Sequence, residues 1–146
     1  MTLRAEATLD TFATRSNGTL PGLMGVRFTA VAENRIDAEL DIRSELLAPN
    51  GYLHAATVIA LADTACGYGC LAHLPAGAEN FTTIELKTNF LGTAREGTIA
   101  CVATPAHLGN TTQVWDAVVS DPGRRRKVAL FRCTQLILWP GTAPGA

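Results

Sequence analysis

The 146 residues suffice for one domain with a sizeable core, and 47% hydrophobic against 17% charged residues excludes an intrinsically disordered chain. A net charge of −1 argues against a protein that binds nucleic acid or an anionic membrane over its whole surface. No apolar run approaches the roughly 20 residues that cross a bilayer, and the N-terminus lacks a basic segment followed by an apolar core, so we expect a cytoplasmic protein.

The first third of the chain predicts a weak helix followed by extended structure. Residues 3–14 have the sparse apolar positions of a short helix, which "NGTLPG" at 17–22 ends. Extended structure is expected from Leu23 onwards. "RIDAELDI" at 35–42 alternates between apolar and charged residues, which predicts a half-buried strand.

The remaining residues predict one apolar helix and then four strands. The helix covers about 55–73 and is uncharged apart from Asp63, so it must be covered nearly all round. The strand candidates are 81–91, 97–109, 111–121 and 126–138, and "GN" and "DPG" between the last three predict antiparallel hairpins. With a flexible tail at about 140–146, the pattern predicts a single α+β domain, 1–146. In it, a five- or six-stranded antiparallel sheet wraps one long central helix.

The four cysteines are interpreted as buried core residues. Cys66 and Cys70 are four residues apart and share a helical face, but Cys101 and Cys133 are isolated in strand-like runs. No set of ligands at the spacing of a zinc site accompanies them, so we expect no metal.

Asp63 is the first candidate for chemistry. A helix acid usually faces solvent. Here no other Asp, Glu, Lys or Arg lies between Glu45 and Glu79, so the sequence offers little support for a solvent-exposed polar face around Asp63. A carboxylate in an apolar setting has a raised proton affinity, which suits a general base or a nucleophile. The sequence alone leaves the solvated and the functional interpretations about equally supported.

The start of the helix, "NGYLHAA", is the second candidate. Asn50 and Gly51 predict a turn, and the backbone N–H groups of the first helical turn have no intrahelical partners. Such groups, at the positive end of the helix dipole, are suited to stabilise a developing oxyanion. His54 is interpreted equally well as a capping residue or as part of a site.

A basic run, "RRRK" at 124–127, lies in a predicted hairpin turn. A solvated turn is the usual explanation of such a run, and binding of a phosphate-bearing ligand is the alternative.

Two segments resemble one known family. "NGYLHAATVIALADTACGYG" and "TTIELKTNFL" are similar to the helix and the following strand of the hotdog-fold acyl-CoA thioesterases, in the group of the PaaI-like and Arthrobacter-type 4-hydroxybenzoyl-CoA thioesterases. The resemblance extends from about Leu23 to Leu138 in the same order of elements. It implies the hotdog fold and an acyl-CoA thioesterase that needs no cofactor, since the CoA moiety is part of the substrate.

The resemblance also implies roles for individual residues. Asp63 stands at the position of the family's catalytic carboxylate, and the N–H of Ala55, just after His54, at that of the oxyanion donor. Thr83, or Thr82, supplies a hydroxyl, and Asp63 and Thr83 are expected to meet from different subunits of a homodimer or homotetramer with sites at the interface.

Further residues are candidates for binding substrate. Asn50 is a candidate for the catalytic set, and Arg95, Arg124 and Arg125 are candidates for the nucleotide end of CoA. The other substrate-binding candidates are Gly51, Thr82, Tyr68, Asn89 and Phe90. The aromatic residues are interpreted equally well as core packing.

The sequence departs from the family in two places. Ala55-Ala56 replaces the usual glycine pair, and Ala48 occupies the position of an Asn or Gln, with Asn50 two residues away. These departures keep open a non-catalytic protein that binds acyl-CoA. A hotdog dehydratase is less well supported, because the helix shows no dehydratase-type pairing of a histidine with an acid.

Overall fold

The computed structural model describes residues 1–141. In chain order its elements are α1 (Leu9–Ser16), α2 (Leu20–Met24), β1 (Arg27–Ala32), β2 (Arg35–Asp41), a 3-10 turn (Ser44–Leu46), α3 (Ala55–Ala72), β3 (Asn80–Phe90), β4 (Thr98–Leu108), β5 (Thr112–Asp121) and β6 (Arg126–Leu138). The tail predicted at 140–146 lies almost entirely outside the described residues.

The six strands form one antiparallel sheet in the order β1-β2-β4-β5-β6-β3. The predicted hairpins joining β4, β5 and β6 are confirmed, and each strand lies within a few residues of its predicted position. β3 reaches the sheet after α3 and pairs only with β6, so it forms one edge.

Helix α3 is the core of the fold, as its apolar sequence predicts. The strands β2 to β6 pack around it, and ten of its eighteen residues are buried. By length and composition alone α3 would suffice to cross a membrane, but more than half of it is buried in the protein, as expected of a core helix. The four cysteines lie in this core, as predicted.

Two glycines let α3 approach the sheet closely. A Cβ at Gly69 would lie 2.6 Å from the Trp115 ring, and a Cβ at Gly67 would lie 2.9 Å from the Phe81 ring. Aromatic side chains of β5 and β3 therefore rest directly on the helix backbone.

The C-terminal end of α3 is fixed by His73, which is fully buried. Its Nδ1 bonds the carbonyl of Gly69 at 2.8 Å, and its Nε2 accepts from the N–H of Asn34 at 3.0 Å. Gln113 donates to the carbonyl of His73 at 2.8 Å. These bonds join the helix end to the β1–β2 turn and to β5.

The N-terminal prediction was wrong in its boundaries. The helix is not 3–14 but Leu9–Ser16, because Thr8 and Thr11 form a capping box that starts it. Before it, Arg4 runs beside the end of α3 and donates to the carbonyls of Leu74, Pro75 and Ala78.

Extended structure also begins later than predicted. Residues Leu20–Met24 form a short helix with a proline in its first turn, and Gly25, at φ 81°, ends it. The first strand therefore starts at Arg27 instead of Leu23.

Candidate active site

Asp63 lies in the middle of α3 and is partly buried. Within residues 1–141, Asp63 Oδ1 and Thr88 Oγ1 are the buried side-chain polar atoms without a hydrogen-bond partner. Because removal from water disfavours the charged form, burial raises the pKa of the Asp63 carboxyl. A carboxyl with raised proton affinity and free lone pairs is suited to accept a proton or to attack a carbonyl carbon.

Thr83, on β3, is the polar neighbour of this carboxyl. Its hydroxyl favours the charged form and lowers the pKa of Asp63, though less than burial raises it. The two residues belong to the same chain, since β3 packs on its own α3 where Phe81 meets Gly67. The expectation that Asp63 and Thr83 meet from different subunits was therefore wrong.

Gln135 is part of this cluster and was not predicted. Thr83 donates to Gln135 Oε1 at 2.8 Å, and the Gln135 side chain is fully buried. The sequence contains a signal for it, because alternate residues of β6 face the core and Gln135 falls in that set with Cys133 and Ile137. A glutamine among such neighbours needs a polar partner.

The start of α3 leaves one backbone N–H free. His54 is the N-cap: its Nδ1 accepts from the N–H of Ala56 at 2.9 Å, and its carbonyl accepts from Thr57 and Val58. Within the described part of the chain, the N–H of Ala55 makes no hydrogen bond, and Ala55 is exposed. The capping interpretation of His54 is confirmed, and its cap leaves the Ala55 N–H available.

Asp63 and the free N–H are too far apart to act on the same atom from one chain. Asp63 lies eight positions after Ala55, which corresponds to about 12 Å along the helix axis at 1.5 Å per residue. An oxyanion donor and an attacking group must both lie about 3 Å from the reacting centre. One copy of α3 therefore supplies one part of such a site and leaves the other part unmatched.

The turn before the helix is closed on itself. The N–H of Ala48 bonds the carbonyl of Tyr52 at 2.7 Å, and the N–H of Gly51 bonds the carbonyl of Ala48 at 2.8 Å. Asn50 Oδ1 accepts from the N–H of Tyr52 at 3.2 Å, so its side chain is engaged within the turn. Gly51 adopts φ 80°, which a residue with a side chain rarely does.

The predicted residues of β3 divide between the two faces of the sheet. Phe90 pairs with the buried Ala129, so it lies on the helix side, yet it is 46% exposed because α3 does not reach it. Thr82 and Asn89 pair with Leu136 and Leu130 and lie on the opposite face. Of the two threonines, only Thr83 is on the side of Asp63.

Tyr68 lies in an aromatic cluster under α1. Its ring is 4.7 Å from Phe12 and 4.6 Å from Phe28, and its hydroxyl is 2.9 Å from the Oγ of the buried Ser16. The structure thus places Tyr68 in packing, away from Asp63.

The basic residues collect beside the start of α3. The loop 91–97 reaches the helix start, where the N–H of Leu53 bonds the carbonyl of Ala94 at 2.8 Å, and Arg95 stacks over Tyr52 at 4.1 Å. Arg124 pairs with Asp121 at 3.3 Å and with Glu96 at 3.7 Å. Arg125 has no ion pair within residues 1–141.

One long central helix wrapped by an antiparallel sheet is the architecture of the hotdog fold. Comparison with known proteins agrees. The sequence model of the thioesterase superfamily matches residues 50–128, more than half of the chain. The protein belongs to the thioesterase superfamily, which confirms the resemblance, and it is a thioester hydrolase.

Individual relatives give the same result. The chain is 28% identical over 141 residues to the 1,4-dihydroxy-2-naphthoyl-CoA hydrolase of Escherichia coli K12, which covers 94% of this chain and 100% of that protein. It is 30% identical to the putative esterase PM0788 of Pasteurella multocida, over 83% of this chain and 86% of the relative.

Solved structures confirm the fold. Thioesterase HI1161 from Haemophilus influenzae superposes with a TM-score of 0.90 at 22% identity, over 99% of this chain and 100% of that one. The PaaI protein of Escherichia coli superposes with a TM-score of 0.81 at 22% identity, over 93% and 96%.

Proposed function

We propose that the protein hydrolyses an aromatic or short- to medium-chain acyl-CoA to the free acid and CoA, with Asp63 as the group that drives the attack. The observation that carries the proposal is the half-buried carboxyl of Asp63, which has a raised pKa and an Oδ1 with no partner among residues 1–141. The relative from Escherichia coli named as a naphthoyl-CoA hydrolase supports an aromatic acyl group.

Two courses of reaction fit one carboxylate. As a general base, Asp63 takes a proton from water while the water oxygen attacks the thioester carbonyl, and that proton then passes to the departing CoA sulfur. As a nucleophile, Asp63 bonds to the carbonyl carbon, the C–S bond breaks, and water cleaves the resulting anhydride. In both courses the negative charge of Asp63 is lost during the cycle and then regained.

The complete site is proposed to lie between two copies of the chain. Asp63 and Thr83 come from one subunit, and the N–H of Ala55 of the partner subunit binds the thioester oxygen as negative charge develops there. The distance of about 12 Å between these groups on one helix supports this arrangement. The edge strand β3 also supports this arrangement, because its helix-facing Leu86 and Phe90 are 42% and 46% exposed.

The methyl groups of Ala55 and Ala56 do not remove the oxyanion donor. Both residues are exposed, and His54 engages the N–H of Ala56 while leaving that of Ala55 free. The departure from a glycine pair is thus compatible with catalysis.

Arg95 and Arg125 are proposed to receive the phosphates of CoA. They lie at the end of the sheet next to the helix start, and the charges of Arg124 and Arg126 are already directed to Asp121. Replacing Arg95 or Arg125 by alanine is expected to raise KM more than it lowers kcat.

The decisive test uses two variants that each remove one group. Asp63→Asn removes the carboxylate and is expected to lower thiol release at least about 100-fold. Ala55→Pro removes only an N–H, because proline suits the first position of a helix and His54 has the extended backbone that precedes proline. Full turnover of benzoyl-CoA and hexanoyl-CoA by Asp63→Asn would show that the proposed role is wrong.

Co-expression of the two variants tests the shared site. In a mixed dimer, Asp63 of one chain faces the intact Ala55 of the other, so one of the two sites is restored. Random assortment into dimers then recovers about a quarter of the wild-type activity. If both groups act from the same chain, co-expression recovers nothing beyond the activity of the separate variants.

The alternative is a protein that binds acyl-CoA without cleaving it, and Ala48, in place of an amide side chain beside the thioester, favours it. Tight binding of benzoyl-CoA in calorimetry without release of free thiol would decide for this alternative.

A further inference from the structure

Two hydrogen bonds, the first partly buried and the second buried, lead from Thr83 beside Asp63 into the core. Thr83 Oγ1 donates to Gln135 Oε1 at 2.8 Å, and Gln135 Nε2 donates to Cys133 Sγ at 3.2 Å. Thr83 and Gln135 are register partners on β3 and β6, so the sheet fixes their contact. Gln135 and Cys133 are almost completely buried.

Each of these two hydrogen bonds points away from the carboxyl. A threonine hydroxyl has one proton, and here that proton goes to Gln135. While that proton bonds Gln135, the Thr83 oxygen accepts from the protonated carboxyl of Asp63. The hydroxyl favours the charged carboxylate, and so lowers the pKa of Asp63, only when its proton turns towards Asp63. Asp63 Oδ1 has no hydrogen-bond partner among residues 1–141.

Rotation of the Gln135 amide reverses the donor and acceptor roles in both hydrogen bonds. Turning the amide by half a revolution exchanges its oxygen and nitrogen, so that Nε2 donates to Thr83 and the thiol of Cys133 donates to Oε1. The Thr83 proton is then free to bond the charged carboxylate of Asp63. Only a side chain with both a donor and an acceptor permits both directions.

We propose that Gln135 is a positioning residue whose amide sets the direction in which Thr83 donates and thereby gives Asp63 a hydrogen-bond partner in both its charged and its neutral state. The inference rests on the proposed function for its effect on turnover, since the charge of Asp63 must disappear and return in each cycle. Its effect on the proton affinity of Asp63 is measurable without substrate.

The other groups facing this region do not obscure a titration of Asp63. On α3 and β4 they are the thiols Cys66, Cys70 and Cys101, and burial raises the pKa of each, to about 12 for Cys101, so they remain neutral. On β6 the facing thiol is Cys133. The helix-facing residues of β2 are apolar, and on β5 the buried acid, Asp121, is at the far end of the strand and bonded to Arg124.

Gln135→Met is the first test, because it keeps the size of the side chain and removes both polar atoms. Thr83 then has only Asp63 left as an acceptor and donates to it permanently, so the pKa of Asp63 falls. A carbon-13 NMR titration of the aspartate carboxyls, with Asp63 assigned by its loss in Asp63→Asn, measures this directly. In hydrolysis of benzoyl-CoA or hexanoyl-CoA, the acidic limb of kcat/KM moves to lower pH and the plateau of kcat falls several-fold.

Gln113→Met is the matched control. Gln113 pairs in register with Gln135 and is equally buried, but its amide bonds His73 and Trp115 and has no contact with Thr83. This control is expected to lose stability while the titration of Asp63 stays in place. If both methionine variants move the titration equally, the role of Gln135 is structural and the proposal fails.

Two further variants separate the remaining outcomes. Gln135→Glu places a second acid beside Thr83 and is expected to raise the pKa of Asp63, opposite to Gln135→Met, so it serves if the methionine variant does not fold. In the Thr83→Val background, Gln135→Met is expected to have no further effect on the titration. An unchanged Asp63 titration in both Gln135 variants overturns the proposal even where Asp63→Asn has abolished turnover.

Discussion

Burial and the missing partner of Oδ1 act on Asp63 in the same direction, since both disfavour its charged form. The ionised carboxylate of Asp63 is therefore expected to destabilise the folded chain at neutral pH. Functional groups are often kept in this way, and activity is retained at some cost in stability.

The Asp63→Asn variant is therefore expected to be more stable than the wild type at pH 8. Because the folded-state pKa of Asp63 is raised above the unfolded value, ionisation costs stability as the pH rises through that interval, and the cost persists above it. Asparagine has no such ionisation, so the difference in unfolding free energy between the variant and the wild type should shrink towards pH 4. Urea unfolding at pH 8 and at pH 4 measures the difference in unfolding free energy between Asp63→Asn and the wild type. The prediction is wrong if the advantage of the variant is smaller at pH 8 than at pH 4.

At the scale of elements, α3 is held by what its two ends and its glycines contact. His73 fixes the C-terminal end through one bond within α3 and two bonds to the β1–β2 turn and β5, and the glycines bring β3 and β5 onto the backbone.

His73 makes the stability of the fold depend on pH. Burial lowers the pKa of His73 below its ordinary value of 6.5, so the folded chain favours the neutral imidazole. The contribution of His73 is complete above pH of about 6.5 and is lost as the pH falls through the interval between the unfolded and the folded values. We expect the urea midpoint of the wild type to fall more between pH 7.5 and pH 5.5 than that of His73→Gln. Equal losses in both proteins would contradict this.

Gly69→Ala is expected to destabilise the fold by about 1–3 kcal/mol, because the added methyl group would overlap the ring of Trp115. Trp115 is fully buried, and three of its ring atoms lie within 2.9 Å of the added Cβ. Gly67→Ala is the comparison: its methyl group meets the outer end of the half-buried Phe81, and the expected loss is smaller. Chemical denaturation of both variants tests the order, and a larger loss in Gly67→Ala would reverse it.

A feature could be predicted from the sequence when residues close together in the chain determine it. The alternation of Ile36, Ala38 and Leu40 shows within a few residues which side of β2 is buried, and the structure agrees. The start of α1 depends on the pairing of Thr8 with Thr11, and the sparse apolar positions of 3–14 did not reveal it. The contact of Thr83 with Gln135 depends on the register of β3 against β6, which joins residues 52 positions apart, so no local pattern reveals it.

For the whole molecule, the exposed side of β3 is the surface that the proposed second copy covers. An edge strand presents unpaired backbone groups, and Ile84, Leu86 and Phe90 add apolar surface, being 55%, 42% and 46% exposed. The proposed pairing of subunits buries this strand and brings the second helix start towards Asp63.

Leu86→Lys is expected to produce a monomer with no measurable thiol release, because a lysine on the helix side of β3 would be buried by the partner. Leu23→Lys is the matched control, since Leu23 is 72% exposed on α2, outside β3. Sedimentation velocity gives the size of each variant, and circular dichroism shows that the chain remains folded. A monomeric Leu86→Lys that keeps full turnover would exclude the shared site.

The separation of Ala55 from Asp63 by eight positions of helix, through the proposed shared site, would also make turnover subject to mass action. In the proposed shared site a single chain holds half of the catalytic groups and is expected to be inactive alone, so the rate per chain should depend on how many chains are paired at a given concentration. On dilution through the dissociation constant of the dimer, the total rate should change from first to second order in protein. The amount of this protein that a cell makes would then act as a threshold for its activity as well as a measure of it.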